Sequence, residues 1–349
     1  MGRAPRATDG SRIVSTTAGV TAGQDALIAP TRARVPLNAF SIGFGVAGLA
    51  GTWTQASHSL GAPQVVAEIL WLAAAATWVI SIGLYLVRSE SVQQVGRDMG
   101  DPTLGPFASL VPATGMLLAG HLYATVPRAG KPMVVAMAIA ALAFAAWFIA
   151  QLLTVPRAME AVHGGYFLPV VAAPFIAAQV LAVARLGSLA LAMFGVGVVC
   201  WMLMGGALLA RLMNGPPVPG KLLPTLAIFA APPAVGGNAC WAMTDGHPGA
   251  VGTVLVGLMV AVVTPNLYLI RRYLSQPFGI GFWAFTFTTA ATATFSVRML
   301  STTTGTGVVF SAWLAVTLAT LLIAAIAVRS IVMWSPWRRR RWSQPAGQH

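Results

Sequence analysis

Gly281-Phe282-Trp283-Ala284-Phe285-Thr286-Phe287-Thr288-Thr289 opens an apolar segment near the C-terminal end of the chain. The stretch places hydroxyl groups beside a cluster of aromatic rings, which is an ordinary mixture for the core of a soluble protein. Inside a bilayer unpaired hydroxyls are costly, so the same mixture indicates a helix that does not face lipid. The stretch therefore predicts a pore-lining helix.

The composition indicates a membrane protein. Hydrophobic residues make up 57% of the 349 residues and charged residues 8%, with a mean hydropathy of +0.76. A soluble domain is about 25% charged, so a soluble fold is nearly excluded. The net charge of +13 comes from arginines in tails and loops, which favours membrane orientation over a nucleic-acid partner. Cys200 and Cys240 lie in apolar segments without metal-ligand spacing, so we expect no metal and no cofactor.

Apolar runs of about 20 residues recur along the chain and predict ten membrane-spanning helices. The links between them are short, so neighbouring spans are expected to form antiparallel hairpins. The fold class predicted is all-α and integral to the membrane. The spans run from about Leu37–Gln55, Val65–Val87, Leu104–Thr125, Pro132–Thr154, Gly165–Val183, Ser188–Met213, Leu222–Met243, Gly249–Tyr268, Phe278–Met299 and Val308–Met333.

The basic residues predict the orientation. With the N-terminus inside, 17 of the 21 lysines and arginines fall on the cytoplasmic side, which supports ten spans with both termini cytoplasmic in the inner cell membrane. Residues 1–35 are polar and rich in arginine, threonine and glycine, and predict a disordered tail. Residues 36–334 form the predicted transmembrane domain, and residues 335–349 a basic cytoplasmic tail.

Residues that disturb helices are concentrated in the odd-numbered spans. Proline inside a spanning helix is tolerated where neighbours or a water-filled cavity satisfy the freed carbonyl. This pattern predicts five hairpins around an axis, with odd helices inside and even helices towards lipid. Packing kinks without a pore are the alternative. The expected pore-lining or kinking residues are Gly43, Gly45, Pro112, Thr114, Pro174, Pro232, Pro233, Thr286 and Thr288.

The odd spans carry no Asp or Glu in their interiors, and a pore of that kind favours anions. Glu68 in the second span is the one carboxylate well within a predicted helix, so it is a candidate for proton coupling, with a structural role near the helix start as the alternative. The histidines fall at span ends or in loops and are expected to be solvated or interfacial.

Two nucleotide-binding motifs are matched only in part. Gly43–Gly48 fits G-x-G-x-x-G, but it lies in an apolar helix rather than after a strand. Gly215–Leu222 fits the Walker A pattern except for its last position, and three of its cradle residues are prolines without an N–H for phosphate. No nucleophile and base pair is present at useful spacing, so there are no candidate catalytic residues and we expect no enzyme.

Four stretches resemble the tellurite-resistance/dicarboxylate transporter family, which includes bacterial TehA proteins and plant slow anion channels. They are Pro36–Gly45, Pro106–Thr114, Gly165–Pro169 and Tyr273–Phe287, the last with a Trp-Ala-aromatic-Thr-Phe core. The resemblance implies ten spans with quasi-fivefold symmetry, a homotrimer and one pore in each subunit.

The resemblance also assigns roles to residues of the pore. It implies that Phe287 blocks the conduction path and that Gly45 leaves room opposite the Phe287 ring. The chain departs from the family at Gly43, where relatives often carry a kinking proline.

Two functional hypotheses follow. The first is an anion channel or channel-like exporter for small inorganic or organic anions, occluded by Phe287. The second is a proton-coupled carrier of C4-dicarboxylate, sulfite or tellurium oxyanions, which needs a titratable group such as Glu68. A membrane scaffold or enzyme without transport is a third class, and an occluded structure without a continuous axis would favour it.

Overall fold

A computed structural model describes residues 34–334, and this part of the chain is all-helical with no strand in it. Residues 1–33 and 335–349, which hold nearly all of the two expected tails, lie outside the described residues. The eleven α-helices are α1 (Ser41–Leu60), α2 (Gln64–Arg88), α3 (Val92–Gly100), α4 (Leu110–Thr125), α5 (Pro127–Thr154), α6 (Ala173–Val183), α7 (Gly187–Asn214), α8 (Ala231–Met243), α9 (Gly249–Leu274), α10 (Ala284–Leu300) and α11 (Thr306–Trp334).

Every predicted span overlaps one of these helices, and most ends agree within a few residues. The largest differences are the late starts of α6 and α8, whose predicted spans open with 3-10 or π geometry. The largest extensions are at the end of α1 (Leu60), the start of α5 (Pro127) and the end of α9 (Leu274). The sequence pattern did not indicate α3. This short helix is capped by Ser91, whose hydroxyl accepts from the backbone N–H of Gln94.

Eight segments of the described chain are long and apolar enough to cross a membrane, and they contain all the long helices except α1 and α10. These two helices are rich in glycine and in hydroxyl-bearing residues. Both pack against several other helices, α1 against α2, α4, α10 and α11, so their polar groups have protein neighbours. The chain is therefore a multi-pass membrane protein whose least apolar helices are surrounded by other helices.

Five helices contact one another in cyclic order, and we call them the inner helices: α1, α4, α6, α8 and α10. α1 contacts α4, α4 contacts α6, α6 contacts α8, α8 contacts α10, and α10 contacts α1. Burial differs accordingly. The most apolar window of the segments that contain α6 and α8 is 83% and 72% buried, whereas the windows of α7 and α9 are each 11% buried. The exposed apolar surface of α7 and α9 is suited to lipid.

Each inner helix is preceded by a short segment that is wound more tightly or more loosely than an α-helix. Segments with 3-10 geometry precede α1, α4, α8 and α10, and a 3-10 turn followed by a π-turn precedes α6. Pro112, Pro174, Pro232 and Pro233 all fall in the first turn of the α-helix that follows. The first N–H groups of an α-helix have no partner four residues back, so proline is tolerated there. These prolines therefore mark the change from 3-10 or π to α geometry near the start of each of these helices.

A buried histidine, His163, links the segment before α6 to the chain just before α4. His163 is fully buried, which corrects the expectation of a solvated or interfacial side chain. Gly165 donates its backbone N–H to Nδ1 of His163 at 3.0 Å, so Nε2 carries the proton and donates to the carbonyl of Thr103 at 2.8 Å. This arrangement requires a neutral ring, because protonated Nδ1 would face the Gly165 N–H.

We expect the chain to lose stability in mild acid through His163. Burial lowers the pKa of His163 to about 4 from an ordinary value of 6.5. Between these two values the unfolded chain binds a proton that the folded chain does not, so the stabilisation is complete above pH 6.5 and is lost as the pH falls towards 4. The loss amounts to about 3 kcal/mol.

The melting temperature of purified protein, measured from pH 7 to pH 4, tests this expectation. His163→Gln should flatten the profile over that range, and His247→Gln, at an exposed position, should leave it unchanged. A His163→Gln profile parallel to that of the wild type would show that another group causes the acid sensitivity.

Candidate functional site

A cavity of about 270 Å³ lies between the inner helices. All five inner helices contribute to its wall, and Trp71 of α2 completes it. The described wall contains no Asp or Glu, while it does contain Arg298, His58 and His121. The polar groups that face it besides these three are Thr54, Gln55, Gln179, Asn238 and Thr294.

An aromatic pair lies at the wall of the cavity. Phe287 lines the cavity, and its ring stacks on Phe44 with centroids 3.7 Å apart and an angle of 19° between the planes. Phe44 is buried and does not line the cavity. Its Cα lies about one turn before Ala47 and Gly48, which do line the cavity. Sequence reasoning had identified Phe287 alone.

Arg298 extends from α10 into the wall of the cavity, with neutral partners. Its Nε donates to Oε1 of Gln55 at 2.8 Å, and its Nη1 donates to the backbone carbonyl and to Oδ1 of Asn238 at 3.1 and 3.0 Å. The sequence had placed Arg298 at an outer mouth, as a possible contact of lipid headgroups. The structure instead places its guanidinium between α1 and α8, without a salt bridge to any described carboxylate.

Glu68 lies next to the cavity and reaches it through a histidine. Oε2 of Glu68 is 3.1 Å from Nε2 of His121, and the His121 ring lines the cavity. The same ring stacks on Trp71 at 4.6 Å, and the indole N–H of Trp71 donates to Oγ1 of Thr54 at 2.9 Å. Glu68 itself is partly exposed and is not part of the wall. Glu68, the proton-coupling candidate from the sequence, is therefore separated from the cavity by His121.

Comparison with known proteins decides the family. The model of the voltage-dependent anion channel family matches residues 34–334, which is all of the described chain. The chain belongs to this family. It is also similar to the tellurite resistance protein TehA homolog of Haemophilus influenzae, with 26% identity over 261 residues that cover 74% of this chain and 79% of the relative. The resemblance found in the sequence is confirmed: the chain is a multi-pass membrane protein of a family that transports anions, and not an enzyme.

Within this voltage-dependent anion channel fold, the glycine opposite Phe287 is not the expected one. A Cβ at Gly48 would stand 2.9 Å from Cδ2 of Phe287, whereas a Cβ at Gly45 would collide with the side chain of Thr286. Gly43 faces the backbone of Trp78 in α2 and lets these two helices approach. Gly48 therefore makes the room for the Phe287 ring, while Gly45 adjoins Thr286 and Gly43 adjoins Trp78.

The three threonine hydroxyls expected in the pore are buried away from the cavity in the described structure. Thr286 is fully buried and donates to the carbonyl of Trp283 at 2.7 Å, and Thr288 is directed to the carbonyl of Ala284 at 3.4 Å. Thr114 is fully buried and its Oγ1 has no hydrogen-bond partner among the described residues. None of the three lines the cavity, nor do the four prolines of the inner helices.

Sequence reasoning missed the polar residues that do line the cavity. Gln55, Asn238 and Arg298 come from three different helices, and only the packing of those helices brings them together. Helical spacing offered one signal, since Phe287, Ala291, Thr294 and Arg298 follow one another at intervals of three or four and share a face.

Proposed function

We propose that the chain is an anion channel whose conduction path follows the axis of the inner helices and is closed by the stacked rings of Phe287 and Phe44. One observation carries the proposal: the cavity walled by all five inner helices is lined by the Phe287 ring, which stacks on Phe44. A hydrophobic constriction of this kind stops ions by excluding water, and conduction then requires only that the rings move aside. The test is the anion conductance of Phe287→Ala, which should exceed that of the wild type.

The proposed architecture is five helical hairpins with quasi-fivefold symmetry around that path. Two features support it: the cyclic contacts of the inner helices and the recurring 3-10 or π segment at the start of each of them. Each outer helix packs against the inner helix just before it in the chain: α2 on α1, α5 on α4, α7 on α6, α9 on α8 and α11 on α10. In the proposed architecture the odd-numbered spans line the path and the even-numbered spans face lipid.

Selectivity for anions is supported by the charges that face the cavity. Its described wall holds a guanidinium and two imidazoles but no carboxylate. In a confined space with low-dielectric walls, a single uncompensated cation raises the local concentration of anions and repels cations. The proposal extends to small inorganic and organic anions as permeant ions.

Location and assembly belong to the same proposal. The excess of basic residues on one side of the ten spans supports cytoplasmic termini in the inner membrane. The family resemblance supports a homotrimer with one path in each subunit, and the exposed apolar surfaces of the outer helices are suited to both lipid and neighbouring subunits.

One observation favours a second candidate, the proton-coupled carrier of C4-dicarboxylate, sulfite or tellurium oxyanions. Glu68 and His121 form a titratable pair 3.1 Å apart beside the cavity, and intramembrane pairs of this kind relay protons in transporters. The channel proposal assigns this pair a positioning role instead, because His121 is held between Glu68 and the Trp71 ring.

We expect anion flux into vesicles to be independent of a pH gradient, both in the wild type and in Glu68→Gln. Uptake of labelled malate, sulfite and chloride with and without an imposed gradient measures this directly. Glu90→Gln, at an exposed position, is the matched control for loss of a carboxylate. Uptake that is driven by the proton gradient and abolished only by Glu68→Gln would replace the channel with the carrier.

A further inference from the structure

We propose that Arg298 is the anion-binding residue of the cavity and that it holds the anion through Nη2 alone. This assignment rests on the proposed conduction path, since it concerns an ion inside that path. The guanidinium belongs to the cavity wall and is two turns or more from Phe287 along α10, so an ion bound there would wait on the open side of the closed rings.

The first support is the uncompensated charge. Both partners of Arg298 are neutral amides, and no described carboxylate pairs with it. Taking a lone cation out of water is costly, and buried charges in proteins are normally paired. An ionisable side chain retained inside a membrane without a counter-ion points to a ligand that supplies the missing charge.

The second support is that the guanidinium is held in a fixed orientation. The amide N–H₂ of Asn238 donates to the carbonyl of Ala291 at 3.0 Å, which directs its Oδ1 towards Arg298. The amide N–H₂ of Gln55 donates to the hydroxyl of Ser59 at 2.7 Å, which directs its Oε1 to Nε in the same way. Both supporting amides are thus oriented by a further hydrogen bond, as expected for a pre-organised binding site.

Counting donors identifies the atom that is left for a ligand. A guanidinium has five N–H groups. Gln55 takes the one on Nε, and the two oxygens of Asn238 occupy Nη1. Nη2 has no partner among the described residues.

The occupied donors also restrict the class of anion. A carboxylate binds arginine best as a two-point fork, through Nε with Nη2 or through Nη1 with Nη2. Either fork here would have to displace Gln55 or Asn238. Nη2 alone suits an anion that makes contact through one atom, such as a halide or one oxygen of nitrate. Such a contact is weak enough to release the ion, which suits conduction better than tight carrier binding.

The first experiment measures saturation of the flux. Chloride flux is recorded against chloride concentration in vesicles that contain Phe287→Ala, with and without Arg298→Gln. We expect Arg298→Gln to raise the half-saturating chloride concentration about tenfold, because it removes a charge-assisted hydrogen bond. Arg128→Gln removes an exposed arginine that does not line the cavity and should leave this value unchanged.

The second experiment measures binding without conduction. An anion that binds the folded chain raises its melting temperature. Purified wild type with its rings in place should melt at a higher temperature in chloride than in gluconate at equal ionic strength, and Arg298→Gln should show no such difference. If chloride raised the melting temperature of the wild type but Phe287→Ala did not change the flux, the ring closure would be overturned and the Arg298 site would still be supported.

A third variant, Gln55→Leu, tests the Arg298 site if Arg298→Gln does not fold. Gln55→Leu frees Nε and so restores a two-point fork with Nη2. We expect it to shift the preference of the site from chloride towards acetate, in both the thermal and the flux measurement. Equal chloride saturation in Arg298→Gln and the parent, or an unchanged chloride-to-acetate preference in Gln55→Leu, would overturn the proposed site while leaving the conduction path intact.

Discussion

Replacing Phe287 by alanine is expected to raise anion conductance by at least about tenfold. The wild-type ring lines the cavity and stacks on Phe44, so in the proposed channel opening the path requires the stack to separate. A stacked aromatic pair contributes about 1 kcal/mol beyond its buried area, and a constriction lined by two rings also excludes water. Alanine removes both barriers and leaves the surrounding helices in place.

Voltage-clamp recording from planar bilayers, or chloride efflux from vesicles, measures this change. Phe285→Ala is the matched control, because Phe285 is on the same helix but packs on Tyr273 at 4.8 Å, outside the cavity wall. Both variants should elute as single species, which shows that they are folded. Equal conductance of folded Phe287→Ala and the wild type would rule out Phe287 as the plug.

Replacing Phe44 by alanine should open the same path, although to a smaller extent. Phe44 supports the Phe287 ring by stacking on it, and without it the ring is free to swing away from the axis. Because the two side chains form one barrier, their effects are not independent, and residues in contact are non-additive in double-mutant cycles. We expect the double variant to conduct little better than Phe287→Ala alone.

Conductance of the two single variants and the double variant, in the same bilayers, gives the coupling. Phe40→Ala is the control, since Phe40 precedes α1 in the chain and packs edge-to-face on Tyr85 rather than on Phe287. Fully additive effects of Phe44→Ala and Phe287→Ala on the logarithm of conductance would mean that the rings form two separate barriers.

The helices were predictable because hydrophobic length and short links constrain a membrane protein strongly. All ten predicted segments are helical, and the family followed from short motifs such as the one that ends at Phe287. The α3 helix was not predictable in this way, because it is polar and too short to show the pattern of a span. Its stability depends on contacts such as the hydrogen bonds that Asp98 accepts from Arg34 and Gln94.

The residues of the cavity were harder to predict, since they depend on the rotation of each helix about its axis. A rotation by one residue moves a side chain by about 100° around the helix. Gly45 and Gly48 are less than one turn apart, yet one faces Thr286 and the other faces Phe287. Threonines in the inner spans were expected to line the pore, whereas a hydroxyl in a helix is readily satisfied by the carbonyl three or four residues earlier.

Arg298 illustrates the same difficulty for charges. A basic residue near the end of a span is ordinarily an interfacial anchor, and the sequence gives no sign that Gln55 and Asn238 would converge on it. The three residues lie in three separate helices, and only the cyclic contacts of the inner helices bring them together. The charge that the structure places in the cavity was therefore visible in the sequence, but its location was not.

The reversal potential of Phe287→Ala under a potassium chloride gradient tests the central claim most directly, because it reports both that the path is open and which ion uses it. We expect the current to reverse close to the equilibrium potential of chloride, since the cavity wall carries Arg298 and no described carboxylate. Reversal close to the equilibrium potential of potassium, or no current from the folded variant, would contradict an anion path closed by Phe287.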